Sequence, residues 1–378
     1  MSQNPVSIPF QNQCILCGRC LEVCPLFRTK NKEELSPRSK GLFLLDLNEK
    51  GCGSIAARKL AGLCLSCGRC QKACPQGLDI PDLVSRIKAS SPSWQKFMWK
   101  EINRGLPVLL PALSRTRGLV PAPGGLKPYA QALRRTRPEP IFRITGDQGL
   151  QGQKFFLFPG CLAKNSWPWL GQVARDILEM RGAEVLDDPG WSCCGYSLAS
   201  AGLREQAENG LKKNILKWKQ AGRPKIAVFC ATCFQGLGSA AKLGPDAPGS
   251  EAFAQSIIYL PDILSGIEAV PRTQAPPDIF WHVPCHAPAK EHIPEPVPCL
   301  EKAGTAVRVE KDSCCGLGGS MLLEDMGLCS SVAQDFWTKT KELKDPLVVT
   351  ACSGCVLQLT ATRPGNRQVI HWLELFNV

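Results

Sequence analysis

Histidine and tyrosine are scarce in this 378-residue chain, with 4 and 3 copies, and acidic residues are outnumbered, 33 against 45 Lys and Arg. No apolar stretch reaches the ~18 residues of a membrane span, so no segment is expected to cross a bilayer by itself. The opening residues MSQNPVSIPFQNQ hold no basic start followed by an apolar run, and a secretory leader is not expected there. G-x-G-x-x-G, the P-loop and Cys-x-x-Cys-His are all missing, which removes the usual devices for a dinucleotide, a nucleotide phosphate and c-type haem. No flavin motif is present either, so the chain is not expected to oxidise an organic substrate alone. What it has instead is 21 cysteines. In the reducing cytoplasm where this composition places the chain, thiols at such density are metal ligands before they are disulfides.

The net charge of +12 is not evenly spread. Residues 86–143 hold 12 Lys and Arg against Glu101 and Glu139, a local net of +10. The stretch is rich in proline and includes Trp94, Phe97, Met98 and Trp99. It reads either as a solvated linker or as a docking arm for an acidic partner subunit or an anionic membrane face. No recognition motif accompanies the charge, so nucleic acid is not an expected partner. The run LPVLLPAL at 106–113 is too short and too broken by proline to cross a membrane.

Residues 14–25 read CILCGRCLEVCP and residues 64–75 read CLSCGRCQKACP. Both are C-x2-C-x2-C-x3-C-P, the run of two-cluster ferredoxins, in which three cysteines of one run share a cubane with the last cysteine of the other. That rule assigns Cys14, Cys17, Cys20 and Cys74 to one [4Fe–4S] centre and Cys64, Cys67, Cys70 and Cys24 to another. Zinc is the competing ligand, but it prefers two separated Cys-x-x-Cys pairs. The 39 residues between Cys24 and Cys64 are too many for a small β-rich ferredoxin. Leu42, Leu45, Ala56, Leu60 and Leu63 fall near helical spacing, and Ser36-Pro37-Arg38 reads as a helix start. A mainly helical domain over 1–90 is therefore expected, followed by the basic segment at 91–150. Cys52 sits in a GCGS turn as a bystander.

From residue 153 the pattern changes to strand–helix alternation. KFFLF leads to Cys161, EVLD to Cys193-Cys194-Gly195, and KIAVFC to Cys230 and Cys233. The scheme then recurs: DIFWHV leads to Cys285, TAVRVE to Cys314-Cys315-Gly316, and PLVVTAC to Cys352 and Cys355. Two α/β domains related by duplication, over 151–272 and 273–378, are expected, with thiols at the carboxyl ends of parallel strands. Five thiols exceed what one tetrahedral metal uses, whereas a multi-iron cluster has room for a vicinal pair. His282 and His286 flank Cys285 and are candidates for a hydrogen bond to cluster sulfur or for proton transfer. Ordinary packing is the plainer role for both. Cys299 and Cys329 fall outside the pattern and read as structural thiols; His292 and His371 support no assignment.

The C…CCG…CxxC repeat resembles the cysteine-rich CCG domain of heterodisulfide reductase subunits. Placed behind two ferredoxin runs, it also resembles the iron–sulfur subunits of glycolate oxidase, anaerobic glycerol-3-phosphate dehydrogenase and related lactate dehydrogenases. SPRSKG at 36–41 is similar to a Pro-Arg-Gly-Arg element of the glycolate oxidase subunit. The resemblance implies a non-cubane [4Fe–4S] cluster on Cys161, Cys193, Cys194, Cys230 and Cys233. A second would rest on Cys285, Cys314, Cys315, Cys352 and Cys355, where 28 residues separate the first two thiols instead of 31. It implies a relay subunit beside a flavin-containing dehydrogenase subunit, or beside a membrane cytochrome or quinone-reactive subunit. Electrons from a small hydroxy acid or glycerol phosphate would pass to quinone or another carrier. The alternative is a subunit that reduces a disulfide at its own clusters. Either way the expected place is cytoplasmic, with attachment to the inner membrane face through partners, and no catalytic residue is assigned.

Overall fold

The computed structural model describes residues 14–49, 55–90, 92–115, 124–146, 148–264, 266–288 and 294–378. Cys52 and His292 lie outside them. Two compact units result, and they do not follow chain order. One gathers residues from 1–104, 197–206 and 314–336, and the other gathers 105–196, 207–313 and 337–378.

The first unit is helical, with no strand among its described residues. Its helices start where side chains can satisfy the first turn. Ser36 Oγ accepts from Ser39 N–H at 3.1 Å ahead of the helix Pro37–Glu49, whose first position is proline. Asp79 caps Ile80–Ser90 through Asp82 N–H at 3.0 Å, and Asp325 caps Met326–Thr338 through Leu328 N–H at 2.8 Å. Ala57 and Ala61 pack on Ile80, Leu83, Val84 and Ile87, forming one apolar nucleus against Cys70. A second nucleus joins Leu26, Leu35 and Leu65 to Met321, Leu328 and Val332, around Cys24, Cys314 and Cys329. Arg204 reaches Asp82 at 2.6 Å and Ser85 Oγ donates to Ala199 O at 2.6 Å, tying 197–206 to the helix Ile80–Ser90.

Among its described residues the second unit holds eleven strands, β1 Phe142–Gly146, β2 Lys154–Phe158, β3 Glu184–Leu186, β4 Lys225–Val228, β5 Ile257–Tyr259, β6 Ile267–Pro271, β7 Ile279–His282, β8 Val307–Glu310, β9 Leu347–Thr350, β10 Val369–His371 and β11 Phe376–Asn377. Two four-stranded sheets are wholly parallel and share one order, β3-β2-β4-β5 and β8-β7-β9-β10. Their central strands are buried on both faces, which is why they read as continuous apolar runs and not as alternations. Helix Trp169–Met180 lays Leu170, Val173, Ala174, Ile177 and Leu178 into this core. The third sheet, β11-β1-β6, pairs Phe142 with both Phe376 and Pro271.

The basic stretch contains regular elements. LPVLLPAL lies within a helix, Trp94–Arg115, that runs through Pro107 and Pro111. Tyr129, Ala130, Ala132 and Leu133 are buried, and β1 is the middle strand of its sheet. Among the described residues, no helix is long and apolar enough to cross a membrane.

Candidate metal centres

In the helical unit the two ferredoxin runs adopt the same backbone. Leu16 and Ser66 have φ of 55° and 52°, and Gly18 and Gly68 have φ of 79° and 71°. Leucine and serine tolerate that left-handed region poorly, so something local must hold them there. Each run curls around its own first three cysteines and releases the chain into a short helix, Arg19–Glu22 or Arg69–Ala73. Two cavities result. Cys14, Cys17, Cys20 and Cys74 line one, which is partly open to solvent. Cys24, Cys64, Cys67 and Cys70 line the other.

Cys70 borders both cavities, and so does Pro37 of the SPRSKG segment, with Arg38 in the first and Lys40 in the second. Lys40 is 2 % exposed and donates to Leu35 O at 2.7 Å. Burial raises the Cys24 thiol, while the Phe27 amide and the Lys40 charge pull it back. Burial, followed by the neighbouring thiols Cys67 and Cys64, lifts Cys70 well above the ordinary range. Cys67 is pushed up to about 12 by burial and then by Cys314. Thiols so crowded and so dry ionise only if cations arrive to take the charge, which is the donor chemistry of an iron–sulfur site.

The other unit assembles thiols from strand ends. Cys161 opens the helix Cys161–Ser166 after β2, and Cys230 caps the helix Ala231–Gly238 after β4. Cys193 and Cys194 follow β3 and turn at Gly195, with φ of 79°. A Cβ there would press on Ala207 at 3.1 Å, and one on Gly160 would meet Cys233 Sγ at 2.8 Å. The five sulfurs form a chain of close neighbours. Cys161 and Cys194 both donate to Cys193, which is held well below the usual thiol range by these two bonds. Cys194 and Cys230 both neighbour Cys233 and raise it, and its single thiol proton can serve only one of them. Cys230 then donates to Cys352 of the second set, at 3.9 Å.

Of that second set, Cys285, Cys352 and Cys355 lie in this unit and Cys314 and Cys315 in the helical one. Cys352 caps the helix Ser353–Thr362 and accepts from Cys230, Cys355 and Thr232, which hold it well below the ordinary thiol value. Gly316 repeats the geometry of Gly195. Its N–H lies 3.4 Å from Cys314 Sγ, against 3.5 Å from Gly195 N–H to Cys193 Sγ, and a Cβ would strike Cys329 O. None of the described cysteines forms a disulfide. Among the described residues, no three Cys, His, Asp or Glu side chains close on a single-ion position.

His282 bonds Thr350 Oγ1 at 3.0 Å, and His286 bonds Thr232 Oγ1 at 3.3 Å. Cys299 and Cys329 are buried helix thiols whose sulfurs lie near carbonyls of Pro296 and Leu317. Burial raises them to about 11 and about 12. Sequence reasoning missed Thr232 and Lys40. The available signal was position alone: Thr232 lies inside a Cys-x-x-Cys, and Lys40 three residues after Pro37.

Two cysteine-lined cavities in a helical domain, with thiols gathered at parallel strand ends, define an iron–sulfur protein. A 4Fe-4S dicluster domain model matches residues 11–78, and a cysteine-rich domain model, CCG, matches twice, at 155–238 and 279–360. The chain belongs to the CCG-domain iron–sulfur proteins. It is 23% identical over 222 residues to the probable glycolate oxidase iron-sulfur subunit of Bacillus subtilis, covering 56% of this chain and 50% of that protein. The match thus spans half of that relative's length. It is 26% identical over 234 residues to lactate utilization protein A of an Exiguobacterium species, covering 58% of this chain and 96% of that protein.

Proposed function

We propose that the chain is the iron–sulfur electron-transfer subunit of a flavin-linked hydroxyacid dehydrogenase complex, with quinone or another carrier as acceptor. The names of both relatives support a glycolate- or lactate-type donor. The observation that carries the relay reading is that thiols of different sets abut. Half-buried Cys67 packs against the apolar nucleus that contains Cys314, and Cys230 lies 3.9 Å from Cys352. When bound, iron–sulfur clusters supply one-electron acceptance and release.

Cys14, Cys17, Cys20 and Cys74 are assigned to one cubane and Cys24, Cys64, Cys67 and Cys70 to a second. On the repeated motif, Cys161, Cys193, Cys194, Cys230 and Cys233 hold a third, non-cubane cluster. Cys285, Cys314, Cys315, Cys352 and Cys355 hold the fourth, the two sets being copies of one duplicated domain. The protein's own residues hold and orient these thiols, with Cys17 exposed and the others half-buried or buried. No flavin-binding device is present, so substrate oxidation belongs to a partner subunit. The exposed Trp94, Phe97, Met98, Lys100 and Arg104 form a basic and apolar surface suited to such a partner or to an anionic membrane face.

Anaerobic protein should contain about 16 Fe per chain if four [4Fe–4S] clusters form. It should be reduced by the hydroxy acid only when the flavin subunit is added. Colourless protein, or zinc in place of iron and sulfide, would sink the proposal. Two complete five-thiol sets support a second reading, reduction of a disulfide at the non-cubane clusters. It predicts a new paramagnetic species when a thiol is added to the protein under redox titration; no new signal leaves the relay alone.

A further inference from the structure

We propose that Thr232 donates a hydrogen bond to Cys352 and thereby raises the reduction potential of the cluster that Cys352 holds, a role denied to the equivalent position of the other thiol set. The inference rests on the cluster assignment above. Thr232 Oγ1 lies 3.3 Å from Cys352 Sγ and 3.3 Å from His286 Nδ1. The backbone around it is pinned: Ala231 N–H donates to Ala351 O at 3.0 Å, and Tyr259 O–H donates to the same carbonyl at 3.1 Å. The ring of Tyr196 lies 4.3 Å from that of His286.

The proton positions follow from counting. A metal-held cysteine is a thiolate and only accepts. The threonine hydroxyl has one proton, so that proton points at sulfur. Its oxygen must then accept from His286, which places the imidazole proton on Nδ1. A donor aimed at a ligand sulfur favours the more negative, reduced state and moves the potential upward. The two Cys-x-x-Cys pairs differ at just this place. Thr232 lies within Cys230–Cys233, whereas Gly354 stands at the matching position within Cys352–Cys355 and has no hydroxyl to offer. The crossing bond therefore runs one way, from the turn of the first set to the sulfur of the second.

The test is a redox titration followed by electron paramagnetic resonance on the full chain, purified without air, as wild type, Thr232→Val and Thr232→Ser. Thr232→Val should lower one midpoint potential, leave the others in place and keep the iron content. Thr232→Ser, which restores the hydroxyl, should titrate as wild type. Should valine disturb packing enough to lose iron, Thr232→Ala removes the hydroxyl without demanding room and must shift the same midpoint downward. Iron-loaded Thr232→Val or Thr232→Ala with unchanged potentials would overturn the role of Thr232 and leave the cluster assignment standing. So would a serine variant that shifts as far as valine. Wild-type protein without iron and sulfide would overturn both.

Discussion

The helical unit and the sheet-bearing unit reach the same chemistry by opposite routes. Around the two cavities, three thiols of each set come from a single turn of chain, held by a left-handed residue between the first and second cysteine. In the Cys161 set no two strand ends are neighbours in sequence, and sulfurs meet only because β2, β3 and β4 lie side by side in parallel register. A local site tolerates much change elsewhere. An assembled one depends on the packing of a whole sheet.

Cys194→Ser sharpens that contrast most. It removes the thiol joining Cys193 to Cys233, so the assembled cluster should fail while both ferredoxin centres survive. Iron should drop by about 4 per chain, and wild-type iron content would contradict the assignment. Next in size is Arg135→Gln. Arg135 belongs to the basic stretch, yet its guanidinium pairs with buried Glu374 at 2.8 Å and stacks over Trp167 at 4.4 Å. Leaving Glu374 without its partner should cost about 3–5 kcal/mol, measured by denaturant unfolding of the sheet-bearing unit. A neutral result would return Arg135 to the docking surface.

A pair of glycine substitutions compares the two kinds of site directly. Gly195→Ala meets both a left-handed backbone and Ala207, whereas Gly68→Ala has the same backbone problem and nothing within 4 Å. Both should cost the ~1–2 kcal/mol of the left-handed backbone, and the first the clash besides. Equal losses of stability would erase the distinction between local and assembled sites.

The smallest expected effect concerns Asp82. Burial acts first and would raise its carboxyl, but the bonds from Arg204 and Arg86 outweigh it and the net shift is downward. A depressed carboxylate contributes stability that is present above the ordinary pKa near 4 and lost as pH falls through the lower folded value. Asp82→Asn should remove less than about 1 kcal/mol at neutral pH, since the pair is partly exposed, and nothing below both values. An equal loss at acid and neutral pH would refute the ionic account.

Much of this was legible in advance, where the physics is short-ranged. The ferredoxin runs, the helix start at Ser36-Pro37 and the strands feeding Cys161, Cys230, Cys285 and Cys352 depend on neighbours within a few residues. Other features were not. Arg135 read as part of the basic stretch because its partner lies far along the chain, and nothing local marks Thr232, whose partner belongs to the other repeat. The recruitment of 197–206 and 314–336 into the helical unit left no periodic mark either.

By itself the sequence determined which thiols exist, their grouping, and the helical or strand character of the chain that presents them, since spacing and local backbone preference decide these. Only the tertiary structure decided that Cys230 meets Cys352, that Lys40 is buried beside Cys24, and that Arg135 serves Glu374. Such pairings arise from burial between distant segments, where the cost of an unpaired polar group selects the partner and nothing in the local sequence names it.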